Sequence, residues 1–190
     1  MELHFQNPGF DYMLEQILAF QDEDASPFWS APLYRFYPQL EPARTLPRPA
    51  RLEAIARELR SVYAAQEQTI HEKTRAYAAH WQRCKPQVTA ALSDAFSLDA
   101  AGLFNDLQVC LSLNPIEPRC LREHRFDLFY LNSPQGAVGA ALHEIIHFFY
   151  FYVWNGLFDD PPDAWEAPAL PWLLSEMVVE PIMRDERLRS

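Results

Sequence analysis

Basic residues are scarce in this chain. Lys and Arg total 16 against 26 Asp and Glu, which gives a formal net charge of -10 at pH 7. This surplus of negative charge repels phosphate backbones and anionic lipid, and no block of basic residues overrides it. We therefore expect neither nucleic acid nor a membrane as a partner.

Cysteine is also rare, with Cys84, Cys110 and Cys120 and no CxxC pair. An odd number of unclustered cysteines is not the framework of a small disulfide-rich secreted protein. We expect reduced thiols in the core or at the surface of an intracellular protein, rather than redox or metal-binding residues.

The sequence shows neither a secretory signal nor a long apolar run. Residues 1–10 have no basic n-region and no apolar h-region. The longest apolar run, 148–154, is far shorter than the ~20 residues needed to cross a bilayer. The expected location is the cytoplasm.

Glycine is sparse, with 5 residues against 16 prolines, whereas hydrophobic residues make up 49% of the chain and aromatic residues 14%. That composition is typical of a packed globular protein with ordered proline-rich loops. A chain of 190 residues is long enough to bury a core, and we expect one domain over 1–190.

The first half of the chain shows mainly helical periodicity. Apolar side chains at helical spacing predict a short helix over 10–20, ended by the acidic residues 21–24. The same pattern predicts a long amphipathic helix over 50–83. Pro86 is expected to separate it from another helix over 86–96.

Two further stretches of this half are predicted to lie outside the long helices. Prolines and aromatic residues interleave over 27–49, which predicts an extended segment laid across the body of the protein or over a cleft. Ser97 or Asp99 is expected to cap a short turn.

In the second half of the chain, apolar side chains first recur at every second residue, the spacing of a β-strand. Alternating apolar side chains over 107–113 predict a β-strand, and 126–131 is a second strand candidate. Ser133 is placed to cap a helix with Pro134 in its first turn. This helix is predicted to run to about Asn155 and to be buried, because it is apolar on nearly every side.

The residues after this helix are predicted to form a loop and a final helix. Gly156 is expected to stop the buried helix in a left-handed conformation. Residues 157–169 are predicted to form an acidic loop, and residues 170–179 a helix that Pro181 breaks or kinks.

The predicted buried helix contains the sequence HEIIH, which places His143 and His147 four residues apart. Residues at this spacing lie on one helix face with Cβ atoms about 5–6 Å apart, so two imidazoles can bind the same ion. Glu144 lies about 100° round the helix axis, beside the ion, where a carboxylate can take a proton from water. Burying these three polar side chains is costly unless they have partners, and a metal would supply one for the two histidines.

Two carboxylates follow on the last predicted helix, at Glu176 and Glu180. Together with the HExxH motif, this region resembles the gluzincins, the thermolysin-like zinc peptidases. In that family a glutamate on a helix downstream of HExxH is the third zinc ligand, and a carboxylate four residues later orients the first histidine. The resemblance implies that Glu176 is the ligand and that Glu180 orients His143.

Glu166 is the alternative third ligand, because 18 residues separate it from His147, a spacing found in some gluzincins. It lies in the predicted proline-rich loop, however, and a rigid helix holds a ligand better than such a loop. We therefore favour Glu176 over Glu166.

A carbonyl hydrolase also needs a group that stabilises a developing oxyanion. No spacing in the sequence marks such a residue. The candidates by residue type alone are Tyr150, Tyr152, His124 and Arg184.

These expectations combine into an α+β fold, with a mainly helical part over 1–106 and a zincin-like metal-binding part over 107–190. In the second part a small sheet packs on the buried HExxH helix. The resemblance implies a zinc-dependent peptidase or amide hydrolase that acts on a peptide or protein substrate, with Glu144 as the general base. Two histidines and one carboxylate also suit a non-haem Fe(II) oxygenase. A metal-binding regulatory protein without turnover is the third alternative.

Overall fold

The structure is a computed structural model that describes residues 1–21 and 26–188. Helices and a small sheet form an α+β fold in this part of the chain, as the sequence predicts. The helices are α1 (Phe10–Leu18), α2 (Pro27–Phe36), α3 (Arg48–Phe96), α4 (Pro134–Asn155) and α5 (Leu170–Met183). The strands are β1 (Leu3–Gln6), β2 (Leu107–Ser112), β3 (Arg119–Cys120) and β4 (Arg125–Phe129). Residues 22–24, which were predicted to help end the first helix, lie outside the described residues.

The sheet has the strand order β1-β2-β4-β3. The neighbours β1, β2 and β4 are parallel, and β3 is an antiparallel edge strand beside β4. β2 and β4 lie where the pattern of apolar residues predicts strands, at 107–113 and 126–131. The sequence does not predict β1 and β3, because strands of 4 and 2 residues are too short to show an alternation of apolar and polar side chains.

The two faces of the sheet carry different helices. Side chains alternate along a strand, so Phe126 and Asp127 point to opposite faces. Phe126 packs against Phe148 of α4, with ring centroids 6.2 Å apart. Asp127 accepts a hydrogen bond from the hydroxyl of Tyr12 in α1 at 2.7 Å. α4 therefore lies against one face and α1 against the other, and the register Arg119↔Phe126 places Arg119 on the α4 face.

α3 packs against α4 and is hydrogen-bonded to the backbone just before its first turn. Phe96 of α3 stacks on Phe149 of α4, with ring centroids 5.7 Å apart. The buried hydroxyl of Tyr77 in α3 donates to the carbonyl oxygen of Asn132 at 2.6 Å. These contacts fix where α4 begins relative to the long helix.

α4 is the central helix, and it starts where the sequence predicts. The Ser133 hydroxyl accepts a hydrogen bond from the backbone N–H of Gly136 at 3.0 Å, and Pro134 occupies the first turn. In the described part of the chain, α4 is also the one helix long and apolar enough to span a membrane. Its most apolar stretch is 61% buried inside the fold, as a core helix is.

The prediction for the end of α4 is wrong, whereas the predicted cap of a short turn after α3 is confirmed at Asp99. Gly156 is right-handed (φ -73°, ψ -16°) rather than left-handed, because the chain continues into another turn in which the Leu157 N–H bonds to the Trp154 carbonyl at 2.9 Å. Ser97 is the residue that ends α3, in a left-handed conformation (φ 54°), and Asp99 caps the short 3₁₀ turn that follows.

The prediction of an extended segment over 27–49 is wrong. This stretch forms α2 and then a 3₁₀ helix, Pro38–Thr45. Ser26 caps α2 and Pro27 lies in its first turn, where a missing N–H loses no helical partner. Prolines near helix starts are therefore compatible with helices.

Pro86 does not end a helix, contrary to the prediction, and of the two outcomes predicted for Pro181, a break or a kink, the break does not occur. α3 runs as one helix of 49 residues through Pro86, and α5 runs through Pro181 to Met183 instead of ending at residue 179. A proline inside a helix costs about 3 kcal/mol. In α3 this cost is offset because Trp81 and Val88, on either side of the proline, are buried in the core.

Candidate metal centre

Two histidines of α4 face the same point. His143 and His147 lie one turn apart on one side of the helix. Their Nε2 atoms are 3.1 Å apart and their ring centroids 4.9 Å apart. The His147 side chain is fully buried, whereas the His143 side chain is 38% exposed. The pair therefore lies at the boundary between core and solvent.

Glu176 of α5 completes the group. One of its carboxylate oxygens lies 3.4 Å from His143 Nε2, and the other lies 3.4 Å from His147 Nε2. Ligand atoms arranged tetrahedrally around zinc at ~2.0–2.1 Å are about 3.3–3.4 Å from one another. The distances from the two imidazole nitrogens to the two Glu176 oxygens are close to this value, and one ligand atom from each side chain lies within 4.8 Å of the others. Among the described residues these three residues form the one such group of converging side chains.

The hydrogen bonds of His147 determine which ring nitrogen is free. Ser175 Oγ donates its proton to the carbonyl oxygen of Trp172 at 2.7 Å, so it accepts from His147 Nδ1, 2.9 Å away. Nδ1 then carries the hydrogen, which leaves a lone pair on Nε2 directed at His143 and Glu176. Burial lowers the pKa of His147 to about 4, so the ring is neutral at pH 7, as a metal ligand has to be.

His143 and Glu176 act on each other's pKa. The hydrogen bond with Glu176 raises the pKa of His143. Burial raises the pKa of Glu176, but the hydrogen bond with His143 and the two nearby imidazoles outweigh it and hold the pKa well below its usual range. The carboxylate is therefore ionised at neutral pH, and a cation bound here would compete with protonation of His143.

Glu144 lies beside this group. Its Oε1 atom is 4.0 Å from His143 Nε2, and its side chain is 11% exposed. Burial raises the pKa of Glu144 to about 7, and its Oε2 atom is buried without a hydrogen-bond partner. A carboxyl group with a pKa near neutral can both accept a proton and return it.

Arg119 of β3 is a candidate functional residue that the sequence analysis missed. From the α4 face of the sheet, its Nη1 atom reaches to 3.6 Å from a Glu144 oxygen and 3.8 Å from a Glu176 oxygen. No local pattern marks this residue, because the contact depends on three separate elements, β3, α4 and α5, packing together.

Glu117 holds the segment before β3 in place. Its carboxylate accepts hydrogen bonds from the backbone N–H of Phe129 at 2.7 Å and from the side-chain amide of Asn132 at 2.8 Å. Burial raises the pKa of Glu117. Its φ of 54° is uncommon for a residue other than glycine. These contacts fix β3, and Arg119 with it, against the end of β4 and the start of α4.

Glu166, the alternative third ligand, is not part of the converging group. It follows a short 3₁₀ helix, Pro162–Trp165, within the stretch predicted as an acidic loop. Burial raises the pKa of Glu166, and the nearby Arg119 and Arg122 act in the opposite direction. Arginines, rather than the two histidines, therefore balance its charge.

Glu180 does not orient His143, contrary to what the resemblance implied. Its side chain is 75% exposed and accepts a hydrogen bond from Arg184 at 2.6 Å. Ser175, on the buried side of α5, is the residue that bonds to a histidine, and that histidine is His147. The serine lies next to Glu176 in the sequence, but a serine within a helix has no distinctive pattern.

The four residues proposed by type as oxyanion stabilisers make contacts with side chains outside the group. The contacts are Tyr150 with Trp154, Tyr152 with Phe104, His124 with Asp106, and Arg184 with Glu180. Within the described residues, Arg119 is the cation that contacts both carboxylates of the centre.

No family model matches this chain, and neither a curated protein nor a solved structure matches it. The function therefore has to follow from the geometry of the centre itself.

Proposed function

We propose that this protein is a zinc-dependent hydrolase of peptides or related amides, with His143, His147 and Glu176 as the zinc ligands. The observation that carries the proposal is the convergence of these three side chains, each with one ligand atom within 4.8 Å of the others and with the two imidazole nitrogens 3.1 Å apart. Two imidazoles and one carboxylate leave a fourth position for water or substrate, as in catalytic zinc sites.

A zinc ion held by these residues would supply an activated water and polarise a carbonyl group. Glu144 is placed to accept a proton from the attacking water and to deliver it to the leaving nitrogen. Its pKa of about 7 suits both steps, and its burial keeps bulk water away from the proton. Ser175 keeps His147 in the tautomer with Nε2 free throughout.

The packing around the centre supports a zincin-like arrangement. α4, which carries HEIIH, lies beneath one face of the mixed sheet, and the antiparallel edge strand β3 brings Arg119 to the centre. α5 supplies the carboxylate ligand. In this proposal residues 107–190 form the metal-binding part, while residues 1–106 form a helical support that also contributes β1 to the sheet.

A non-haem Fe(II) oxygenase is the alternative for the same two histidines and carboxylate. The buried Glu144 favours hydrolysis, because a carboxylate beside the ligands serves directly as a general base there. Elemental analysis of protein purified without added metal separates the two. About one equivalent of zinc per chain supports the hydrolase. Iron in its place would support the oxygenase, and a chain that takes up neither metal would contradict both.

Glu144→Gln tests the reaction itself. Glutamine keeps the size and an acceptor oxygen but cannot carry the proton. Cleavage of a random peptide library, followed by mass spectrometry, is expected to fall at least ~10²-fold at unchanged zinc content. Glu180→Gln is the matched control, since it makes the same change at an exposed position, and it should cleave like the parent.

Two results would contradict the role of Glu144. Loss of zinc in Glu144→Gln would make this residue a ligand. Undiminished cleavage at full zinc content would show that the proton is carried by another group.

A further inference from the structure

Arg119 brings a buried positive charge to the candidate metal centre. Its side chain is 11% exposed, and Nη1 faces Glu144 Oε2 at 3.6 Å and Glu176 Oε1 at 3.8 Å. Both separations are longer than a hydrogen bond. The guanidinium is thus close to two carboxylates and bonded to neither.

Two nitrogens of this guanidinium make no hydrogen bond. Nε and Nη2 of Arg119 are buried without a hydrogen-bond partner, and so is Glu144 Oε2. Burying a charged group without hydrogen bonds is unfavourable, and an arginine that serves only to hold a carboxylate pairs with it through short, often parallel N–H···O bonds. Arg119 makes no such short pairing, and its Nη1, which faces the centre, can donate to an oxygen that binds there.

The positive charges at the centre indicate the sign of that group. Arg119 lies 3.6 Å from a Glu144 oxygen and 3.8 Å from a Glu176 oxygen, and it also acts on the charge of Glu166. A divalent ion held by the two histidines and Glu176 would place a second cation beside the guanidinium. An anionic oxygen could then contact both cations, and within the described residues Arg119 is the cation that contacts both Glu144 and Glu176.

We propose that Arg119 binds an anionic oxygen of the substrate beside the metal, an inference that rests on the proposed hydrolase function. Two groups offer this chemistry. One is a carboxylate that the substrate carries next to the bond that is cleaved. The other is the carbonyl oxygen as it gains charge during attack by water. Arginine suits both, because its planar N–H donors match carboxylate and tetrahedral oxyanions.

The two sources have different consequences for the substrate. If Arg119 binds a carboxylate, the substrates are peptides or amides with a free carboxylate close to the scissile bond. If it binds the developing oxyanion, Arg119 assists hydrolysis of any amide that enters the centre.

The test measures anion binding to the metal-loaded protein and needs no substrate. Protein loaded with Co(II) is titrated with acetate, a planar carboxylate, and with methylphosphonate, a tetrahedral oxyanion, while the visible absorption of Co(II) reports binding. Arg119→Gln removes the charge and Arg119→Lys retains it. Arg122→Gln is the matched control, because it removes the same charge at a position that is 63% exposed and paired with Asp163 at 3.5 Å.

In Arg119→Gln the dissociation constant of at least one anion is expected to rise ~10-fold or more, the loss of one charge-assisted hydrogen bond. Arg119→Lys should lie between Arg119→Gln and the parent, and Arg122→Gln should bind like the parent. Weaker acetate binding identifies a substrate carboxylate, whereas weaker methylphosphonate binding alone identifies the oxyanion. If Arg119→Gln does not fold, Arg119→Lys decides the question, since anion binding equal to that of the parent overturns the inference.

Two further outcomes overturn this inference or the proposed function separately. Full metal content with unchanged affinity for both anions in Arg119→Gln overturns the role of Arg119 alone. Loss of metal in that variant makes Arg119 part of the scaffold of the site and also overturns the inference. A parent protein that takes up neither zinc nor cobalt overturns the proposed function instead.

Discussion

Removing the hydroxyl of Ser175 tests whether the tautomer of His147 is set for metal binding. Ser175 Oγ accepts from His147 Nδ1 at 2.9 Å and donates to the Trp172 carbonyl at 2.7 Å, and both Ser175 and His147 are 0% exposed. In Ser175→Ala the Nδ1–H loses its partner in a place that water does not reach. A buried donor without a partner costs about 1–3 kcal/mol.

This cost falls on metal binding because the metal-free protein can avoid it. Without an ion, the His147 proton can move to Nε2, where Glu176 lies 3.4 Å away and can accept a hydrogen bond. With an ion on Nε2, the proton has to stay on the unpartnered Nδ1. A penalty of about 1–3 kcal/mol on the bound state alone corresponds to roughly 5- to 150-fold weaker zinc affinity.

The assay is competition for zinc with a chromophoric chelator at pH 7, accompanied by thermal unfolding of the metal-free protein. Ser175→Ala should weaken zinc binding by that factor and change the metal-free unfolding little. Glu180→Gln should bind zinc like the parent, because Glu180 is exposed and paired with Arg184. Zinc affinity unchanged in Ser175→Ala would refute the tautomer argument. If Glu180→Gln binds zinc more weakly than the parent, Glu180 supports the site after all, as the gluzincin resemblance implied.

The remaining predictions concern the ligands and a buried acid. His143→Ala should abolish stoichiometric metal uptake in elemental analysis, and unchanged metal content would rule out the site. Glu176→Gln should weaken zinc binding much more than Glu166→Gln, and the opposite order would move the third ligand to the loop. Burial raises the pKa of Asp127 from 3.8 to about 7, so the stability that its protonated form contributes is fully present below pH 3.8 and is lost as the pH rises through 7. Asp127→Asn should therefore have a larger free energy of unfolding than the parent at pH 8. The difference is at most about 4 kcal/mol, from about 1.4 kcal/mol per pH unit of pKa shift. If the urea midpoint changes by the same amount between pH 5 and pH 8 in the parent and in Asp127→Asn, this prediction is wrong.

Local periodicity was enough to predict two strands of the sheet and α4, the helix that carries both histidines and Glu144. β2, β4 and α4 begin and end within two residues of their predicted bounds. Each is regular and apolar along its length, so its burial pattern repeats in the sequence. His143 and His147 could also be predicted from local spacing, because they share a helix face. Glu176 was predicted from the gluzincin resemblance.

Tertiary packing decided what local rules could not predict. Pro86 carries a local penalty that the buried side chains around it offset, so α3 continues where the sequence predicts a break. Ser175 and Arg119 reach the centre only because α5 and β3 pack against α4. No spacing along the chain encodes those contacts, and so the residues that tune the site were harder to predict than those that form it.

The pairing of β1 with β2 has a consequence for the order in which the protein is built. The register Leu3↔Leu107 joins two strands that lie at opposite ends of a long helical stretch of the chain. At a synthesis rate of ~5–20 residues per second, β1 waits roughly 5–20 s before its partner has been made. α3 forms through local contacts and needs far less time. α3 can thus become helical while β1 still has no neighbour, and the sheet forms only once β2 and β4 have been made.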